Sequence, residues 1–203
     1  PVLSTLRKRV QTGNEVQEIF AVASGTLSKL FNEYDTSVPF SQLVRQLKEE
    51  GVTESDPRKD LNGKDVAGKI LVLARLSGKE IELADIEVES LLDETCEQAP
   101  DIESFLKALE GRDKHFADLY ESTREQGKVL RYIAEMKDGK VRVGLRSVEK
   151  DHPAARLKGT ENLFQFTTSR SAVPLTIMGA GAGRKETADG LLEGIIATGK
   201  KRA

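Results

Sequence analysis

Apolar positions along the chain alternate between a helical period and a period of two. Val2, Leu3, Leu6 and Val10 recur at helical spacing, and Gly13 is placed to end that helix. Residues 15–24, EVQEIFAVAS, carry the β-branched and aromatic residues of a strand. Over residues 24–35, Leu27, Leu30, Phe31 and Tyr34 share one helical face. Over 39–51, Phe40, Leu43, Val44 and Leu47 form one stripe closed by Gly51. Residues 64–77 make a further helix through Val66, Ile70, Leu73 and Ala74, with Gly78 at its end. ADIEVESL, 84–91, reads as a strand. Residues 94–100 read as a polar approach, with Cys96 in a polar loop, to two helical segments around Gly111 within 101–126.

From residue 128 the period becomes two. KVLRYIAEMKDGKVRVGLRSV reads as two strands joined at Asp138-Gly139, a strong hairpin signal. NLFQFTTSR and PLTIMG are further strands, GAGAGRKE a glycine-rich turn, and TADGLLEGIIATG a terminal helix. Strands and helices cluster without strict βαβ alternation. The expected fold is α+β, one mixed, largely antiparallel sheet with helices packed on one face. The other face then needs a cover, which a second subunit of a homodimer would provide.

The totals narrow the classes. A chain of 203 residues suits one domain over 1–203 and is long enough to bury roughly 70% of its unfolded surface. Lys and Arg number 31 against 33 Asp and Glu, for a net charge of −2, so no basic footprint for nucleic acid is expected. The longest apolar run, ILVLA at 70–74, is ended by Arg75, far short of the ~20 residues of a membrane span. One cysteine, Cys96, permits no internal disulfide and fits a reducing, cytoplasmic setting. No signal peptide opens the chain. Pro1 leads straight into a helical pattern, so the chain reads as cut from something longer.

The candidate chemistry concentrates in GVTESDPRKDLNGKDVAGK, residues 51–69. It holds Glu54, Asp56, Asp60 and Asp65 with Arg58, Lys59, Lys64 and Lys69 between two amphipathic helices. Asp65 and Lys69 stand four apart on a helix and share a face, which by itself is a surface pair worth ~0.3–0.5 kcal/mol. The turn-rich approach DPRKDLNG can also fold Glu54 and Asp60 over the helix start. A lysine among carboxylates can pass a proton to a carbonyl oxygen, and the acids can hold an ammonium group. Ser24-Gly25-Thr26 opens a helix, with Ser24 as N-cap and Gly25 as a place where an anion can approach. In GAGAG, Gly179 and Gly181 fit G-x-G, but Arg184 takes the third glycine position, so this is no dinucleotide fingerprint. From the pattern it is a tight turn. His115, His152 and Cys96 have no metal-ligand spacing, so no metal is expected.

GTLSKLFNEY, GVTESDPRKDLNGKDVAGK, KVLRYIA and GAGAGRKETADGLL together resemble homoserine dehydrogenase, in the family's order and spacing. The resemblance runs from Pro1 to about Ile196 and covers the catalytic and dimerisation region. It implies interconversion of L-homoserine and L-aspartate 4-semialdehyde with NADP or NAD, on the way to threonine and methionine. It implies that Lys69 exchanges the substrate proton with Asp65 beside it. Glu54 and Asp60 would then hold the substrate amino group, with Thr26 and Gly25 as substrate or cofactor contacts at a helix start. The turn of Gly179, Gly181 and Gly183 would close near the nicotinamide. Three positions depart from the family: Val52 stands for a tyrosine, Lys59 for an acid and Gly68 for an arginine. The family's nucleotide-binding domain, with its G-x-G-x-x-G, precedes this region and is not in these residues. The implied partner is that domain, in cis or in trans. The alternative is a short homologue on the same scaffold, acting as a non-redox enzyme or a substrate-binding or interaction module.

Overall fold

The computed structural model describes residues 1–181 and 184–199 of the chain. Helix α1 (Val2–Gln11) ends at Gly13, whose φ of +73° turns the chain into strand β1 (Val16–Val22). Helix α2 (Gly25–Glu33) follows at once, because the Ser24 side chain accepts the Leu27 amide at 3.2 Å and so caps it. Helix α3 (Phe40–Glu49) buries its Phe40–Leu47 stripe as its pattern requires. A one-turn helix α4 (Arg58–Leu61) and the longer α5 (Lys64–Leu76) meet at Asn62-Gly63. Then come β2 (Glu87–Val88), α6 (Glu94–Glu97), α7 (Ile102–Leu109) and α8 (Asp113–Glu125). The second half holds β3 (Lys128–Lys137), β4 (Lys140–Glu149), β5 (Glu161–Thr168), β6 (Ser171–Ala180) and α9 (Arg184–Gly199).

The strands form one sheet in the order β2-β4-β3-β1-β5-β6. Every described pair is antiparallel except β2 with β4, which makes the sheet mixed, as expected. The β3–β4 hairpin closes between Lys137 and Lys140, with positive φ at both Asp138 and Gly139, the geometry whose twist matches paired strands.

Alternate residues divide the sheet into two faces. One face sends Ile19, Tyr132, Ala134, Val143 and Phe166 into the main core, against Leu27, Leu30, Phe40 and Ile70 of the helices. The opposite face gathers Val22, Ile133, Val148 and Leu163 in a smaller cluster. That cluster is covered by Ala154 and Leu157 from the segment after β4. His152 opens this segment: its Nδ1 accepts the Ala154 amide at 3.1 Å and its ring packs on Phe20 at 4.7 Å.

Three local expectations are corrected. Residues 84–91 are mostly not a strand. The side chains of Glu82 and Asp85 cap each other's amides and wind Leu83–Asp85 into a turn of helix, which leaves only Glu87–Val88 to pair. Cys96 is not in a polar loop. The Asp93 carboxylate accepts its amide at 2.9 Å, starting α6 and rolling Cys96 fully into the core, where burial pushes its thiol up to about 11. Gly179 does not belong to a turn either. It pairs with Asn162 inside β6, and the chain leaves the strand only after Ala180.

Candidate active site

The 51–69 segment leaves α3 as an irregular loop and returns as α4 and α5, and hydrogen bonds tie it at two places to the chain just past β1. Ala23, just past β1, offers its carbonyl to Lys69 Nζ at 2.9 Å. Three residues on, in the first turn of α2, the Thr26 hydroxyl donates to the Val52 carbonyl at 3.0 Å. Two residues further along that loop, the Glu54 amide donates to Asp60 Oδ2 at 2.8 Å. Asp65, in the first turn of α5, pairs with Lys69 at 2.7 Å. Gly25, Thr26, Glu54, Asp60, Asp65 and Lys69 are thus gathered at the C-terminal end of β1.

Exposure within the group is graded. The Lys69 and Asp65 side chains remain 46% and 63% exposed, so this ion pair is open to a ligand and contributes little to stability. Asp60 is more enclosed. Burial raises its carboxyl above the ordinary carboxylate value, the Glu54 amide and Thr26 hydroxyl pull it back, and the charges of Glu54 and Asp65 raise it further. The charges of Glu54 and Asp65 both bear on Asp60, while Lys69 pairs with Asp65 alone among the described residues, so the group carries an excess of negative charge that an ammonium ligand would neutralise.

Beside Lys69 and Asp65 lies a cavity of about 410 Å³, walled by Val2, Leu3, Gly68, Val72, Leu73 and Phe164. It is apolar apart from the ion pair at its edge. Nothing stands within 4 Å of where a Gly68 Cβ would be, so the missing side chain is not demanded by packing and leaves the cavity open. Val52 packs on the core while its carbonyl serves Thr26, a bond that any residue at 52 can make. Lys59 is exposed at the back of α4, and its charge draws Asp56 down rather than acting at Asp60.

Two residues not singled out from the sequence hold the loop. The Asp56 carboxylate takes Arg58 Nε at 3.0 and 3.1 Å and Nη2 at 2.8 Å. Arg58 Nη1 reaches the Ala99 carbonyl at 2.6 Å, and its guanidinium lies over the Phe105 ring at 5.6 Å. This pair fastens the acidic loop to α7 and to the link that precedes it. The bonds with Arg58 hold Asp56 below the usual carboxylate range. The signal for it was the D-P-R turn, but its anchors lie some forty residues away.

The structure does not bring the described glycines of the 179–183 stretch into the acidic group. Gly179 is paired in β6. Gly181 donates its amide to the Thr160 carbonyl at 3.2 Å, and a Cβ there would meet the Asn162 amide group at 2.3 Å, so the backbone approaches Asn162 closely. Among the described residues no hydrogen bond or ion pair links Gly179 or Gly181 to the acidic group. Gly183 lies outside the described residues.

The homoserine dehydrogenase family model matches residues 1–196. The chain belongs to the homoserine dehydrogenase family. It is 41% identical over 203 residues to the homoserine dehydrogenase of Saccharomyces cerevisiae, covering 97% of this chain and 56% of that protein. Its fold superposes on a Candida auris protein of unknown function with a TM-score of 0.92 at 38% identity, over 97% of this chain and 57% of the other. A putative homoserine dehydrogenase from Archaeoglobus fulgidus gives a TM-score of 0.76 at 28% identity, over 96% and 54%. The chain therefore spans little more than half the length of these relatives.

Proposed function

We propose that this chain is the substrate-binding half of a homoserine dehydrogenase, interconverting L-homoserine and L-aspartate 4-semialdehyde on the route to threonine and methionine. A nucleotide-binding domain, in the same polypeptide or in a second one, completes the enzyme. The observation that carries the reading is the gathering of Thr26, Glu54, Asp60 and the Asp65–Lys69 pair at the end of β1. In the reducing direction, Lys69 gives a proton to the substrate oxygen as the carbonyl becomes an alcohol, and it takes that proton back in the oxidising direction. Asp65 keeps the ammonium of Lys69 turned towards the cavity and accepts from the substrate hydroxyl. Glu54 and Asp60 bind the substrate ammonium, and the α2 start at Gly25 and Thr26 receives its carboxylate end.

The apolar cavity beside Lys69 suits the flat nicotinamide ring of NAD or NADP, and the Gly179–Gly183 stretch would close over that end. When bound, the nicotinamide exchanges a hydride with the substrate carbon. The adenosine half is held outside the described residues. The partly covered face of the sheet, around Phe20, is the surface through which we propose that two copies pair as a homodimer.

The test is homoserine-dependent reduction of NAD or NADP by the full-length protein, followed by absorbance. Turnover that is lost with Lys69→Ala supports the reading. Absence of turnover with either cofactor in a folded, full-length wild type would sink it. For the dimer, light scattering at micromolar concentration should give twice the protomer mass, and a monomer would refute it.

A further inference from the structure

The two arms of the site, α4 with Asp60 and α5 with Asp65 and Lys69, meet at Asn62-Gly63, and that junction rests on the sheet. Gly63 is buried at the start of α5 with φ +72° and ψ 0°, the left-handed region that favours glycine. A Cβ on it would stand 2.0 Å from the Tyr132 hydroxyl oxygen, 3.0 Å from Cζ and 3.2 Å from Val88 Cγ1. Tyr132 comes from the middle of β3, is 2% exposed, and donates its hydroxyl to the Glu89 carbonyl at 2.7 Å. Glu89 is itself fixed to β4, its amide donating to the Val143 carbonyl at 2.8 Å. Two residues on, the Leu91 amide donates to the Leu61 carbonyl at 3.0 Å, at the end of α4. Ala67 closes the first turn of α5 onto the Gly63 carbonyl at 2.9 Å.

We propose that Tyr132 is a positioning residue: its hydroxyl and ring form the seat on which the Asn62-Gly63 junction sits, and so set the spacing between Asp60 and the Asp65–Lys69 pair. This rests on the function proposed above. Asp60 lies three residues before Gly63, Asp65 two after it and Lys69 six after it, so a shift of the seat swings both arms about one point. Ammonium binding and proton transfer act on opposite ends of one small substrate, and catalysis is sensitive to displacements of about 1 Å. The seat is also rigid, since its hydroxyl has a partner, its ring is buried and no side chain intervenes at Gly63.

The experiment compares Tyr132→Phe, Gly63→Ala and the double variant in the full-length enzyme, with Phe116→Leu as a core control that touches neither arm. Tyr132→Phe should lower kcat for homoserine roughly tenfold while the KM of the nicotinamide cofactor stays unchanged. Gly63→Ala should fall roughly a hundredfold, and removal of the hydroxyl in the double variant should recover at least about threefold of that. Phe116→Leu should lower the Tm yet keep kcat at a temperature where all variants are folded. A Tyr132→Phe enzyme within about twofold of wild type, or a control that loses as much kcat as Tyr132→Phe, overturns the proposal. Amide exchange gives a readout independent of turnover: Tyr132→Phe should speed exchange at Ala67 and Leu91 but not along α3. Unchanged exchange at both overturns the seat even if the wild type proves to be no dehydrogenase, and faster exchange in Tyr132→Phe beside an inactive wild type would sink the function alone.

Discussion

Replacing Arg58 with alanine tests whether the acidic loop is held from behind. Arg58 makes a fork of contacts at 2.8–3.1 Å with Asp56, a 2.6 Å bond to the Ala99 carbonyl and a ring contact with Phe105. The two charged side chains are only 21% and 26% exposed, so solvent screens the pair less than it does an open surface pair. Taking ~1 kcal/mol for the pair, ~1.5 for the charged bond to the carbonyl and ~0.5 for the ring contact, Arg58→Ala should cost about 3 kcal/mol. For a domain of this size that is a fall in Tm of roughly 6–12 °C. Asp56 is held below its ordinary value of 3.8, so its share of stability is present above that pH and is lost as pH falls through the lowered folded value. The gap between wild type and variant should therefore narrow below about pH 4.

The kinetic consequence is more specific. Asp60 and Glu54 ride on the loop that Arg58 anchors, whereas Lys69 sits on α5 with its own bond to Ala23. Arg58→Ala should raise the KM for homoserine at least about tenfold while kcat stays within about threefold, the signature of lost substrate binding rather than lost chemistry. Urea unfolding and steady-state kinetics of the full-length enzyme measure both effects. Arg58→Lys cannot reproduce the fork and should resemble the alanine variant. An unchanged KM in a folded Arg58→Ala enzyme would show that the loop keeps its shape without the clamp, and the reasoning would be wrong.

Lys69→Ala should abolish turnover and leave the circular dichroism and Tm nearly unchanged, because the side chain is half exposed and its pair is open to solvent. Asp60→Asn should behave in opposite ways in two assays: homoserine binding should be lost, yet the protein should be more stable than wild type at neutral pH. Burial raises the folded pKa of Asp60, so its ionised form opposes folding. That penalty fades as pH falls through the raised value, and the stability difference should shrink with it. Cys96, fully buried with its thiol pushed up to about 11, should resist an aromatic disulfide reagent at pH about 8 in the native state and react at once in denaturant.

What could be read in advance depended on the range of the interaction. The β3–β4 hairpin announces itself locally, through period-two apolar positions around Asp138-Gly139, and α5 through its Val66–Ala74 stripe. ADIEVESL carried the same local signal and still failed, because mutual capping by Glu82 and Asp85 outcompeted strand pairing at the sheet edge. Cys96 looked polar in context because its neighbours are polar, and although the Asp93 cap is local, the core that Cys96 enters is built from distant residues. In the same way the Asp65–Lys69 spacing was visible at once, but the bonds from Thr26 to Val52 and from Lys69 to Ala23 join segments 26 and 46 residues apart.

The division of labour inside residues 51–69 follows from this. Its charged side chains invite two readings from the sequence, a surface ion pair and a ligand site. In the folded chain Lys59 and Lys64 are exposed, and the other six separate into two groups. Glu54, Asp60, Asp65 and Lys69 gather near the end of β1, while Asp56 holds Arg58, which reaches the Ala99 carbonyl and Phe105. Gly63 belongs to neither group and is constrained by Tyr132, 69 residues further along the chain. A motif this long is dense in charge and turn residues because a short irregular segment must build its own support. The residues that hold it cannot be told from those that serve the ligand until the sheet beneath them is in place.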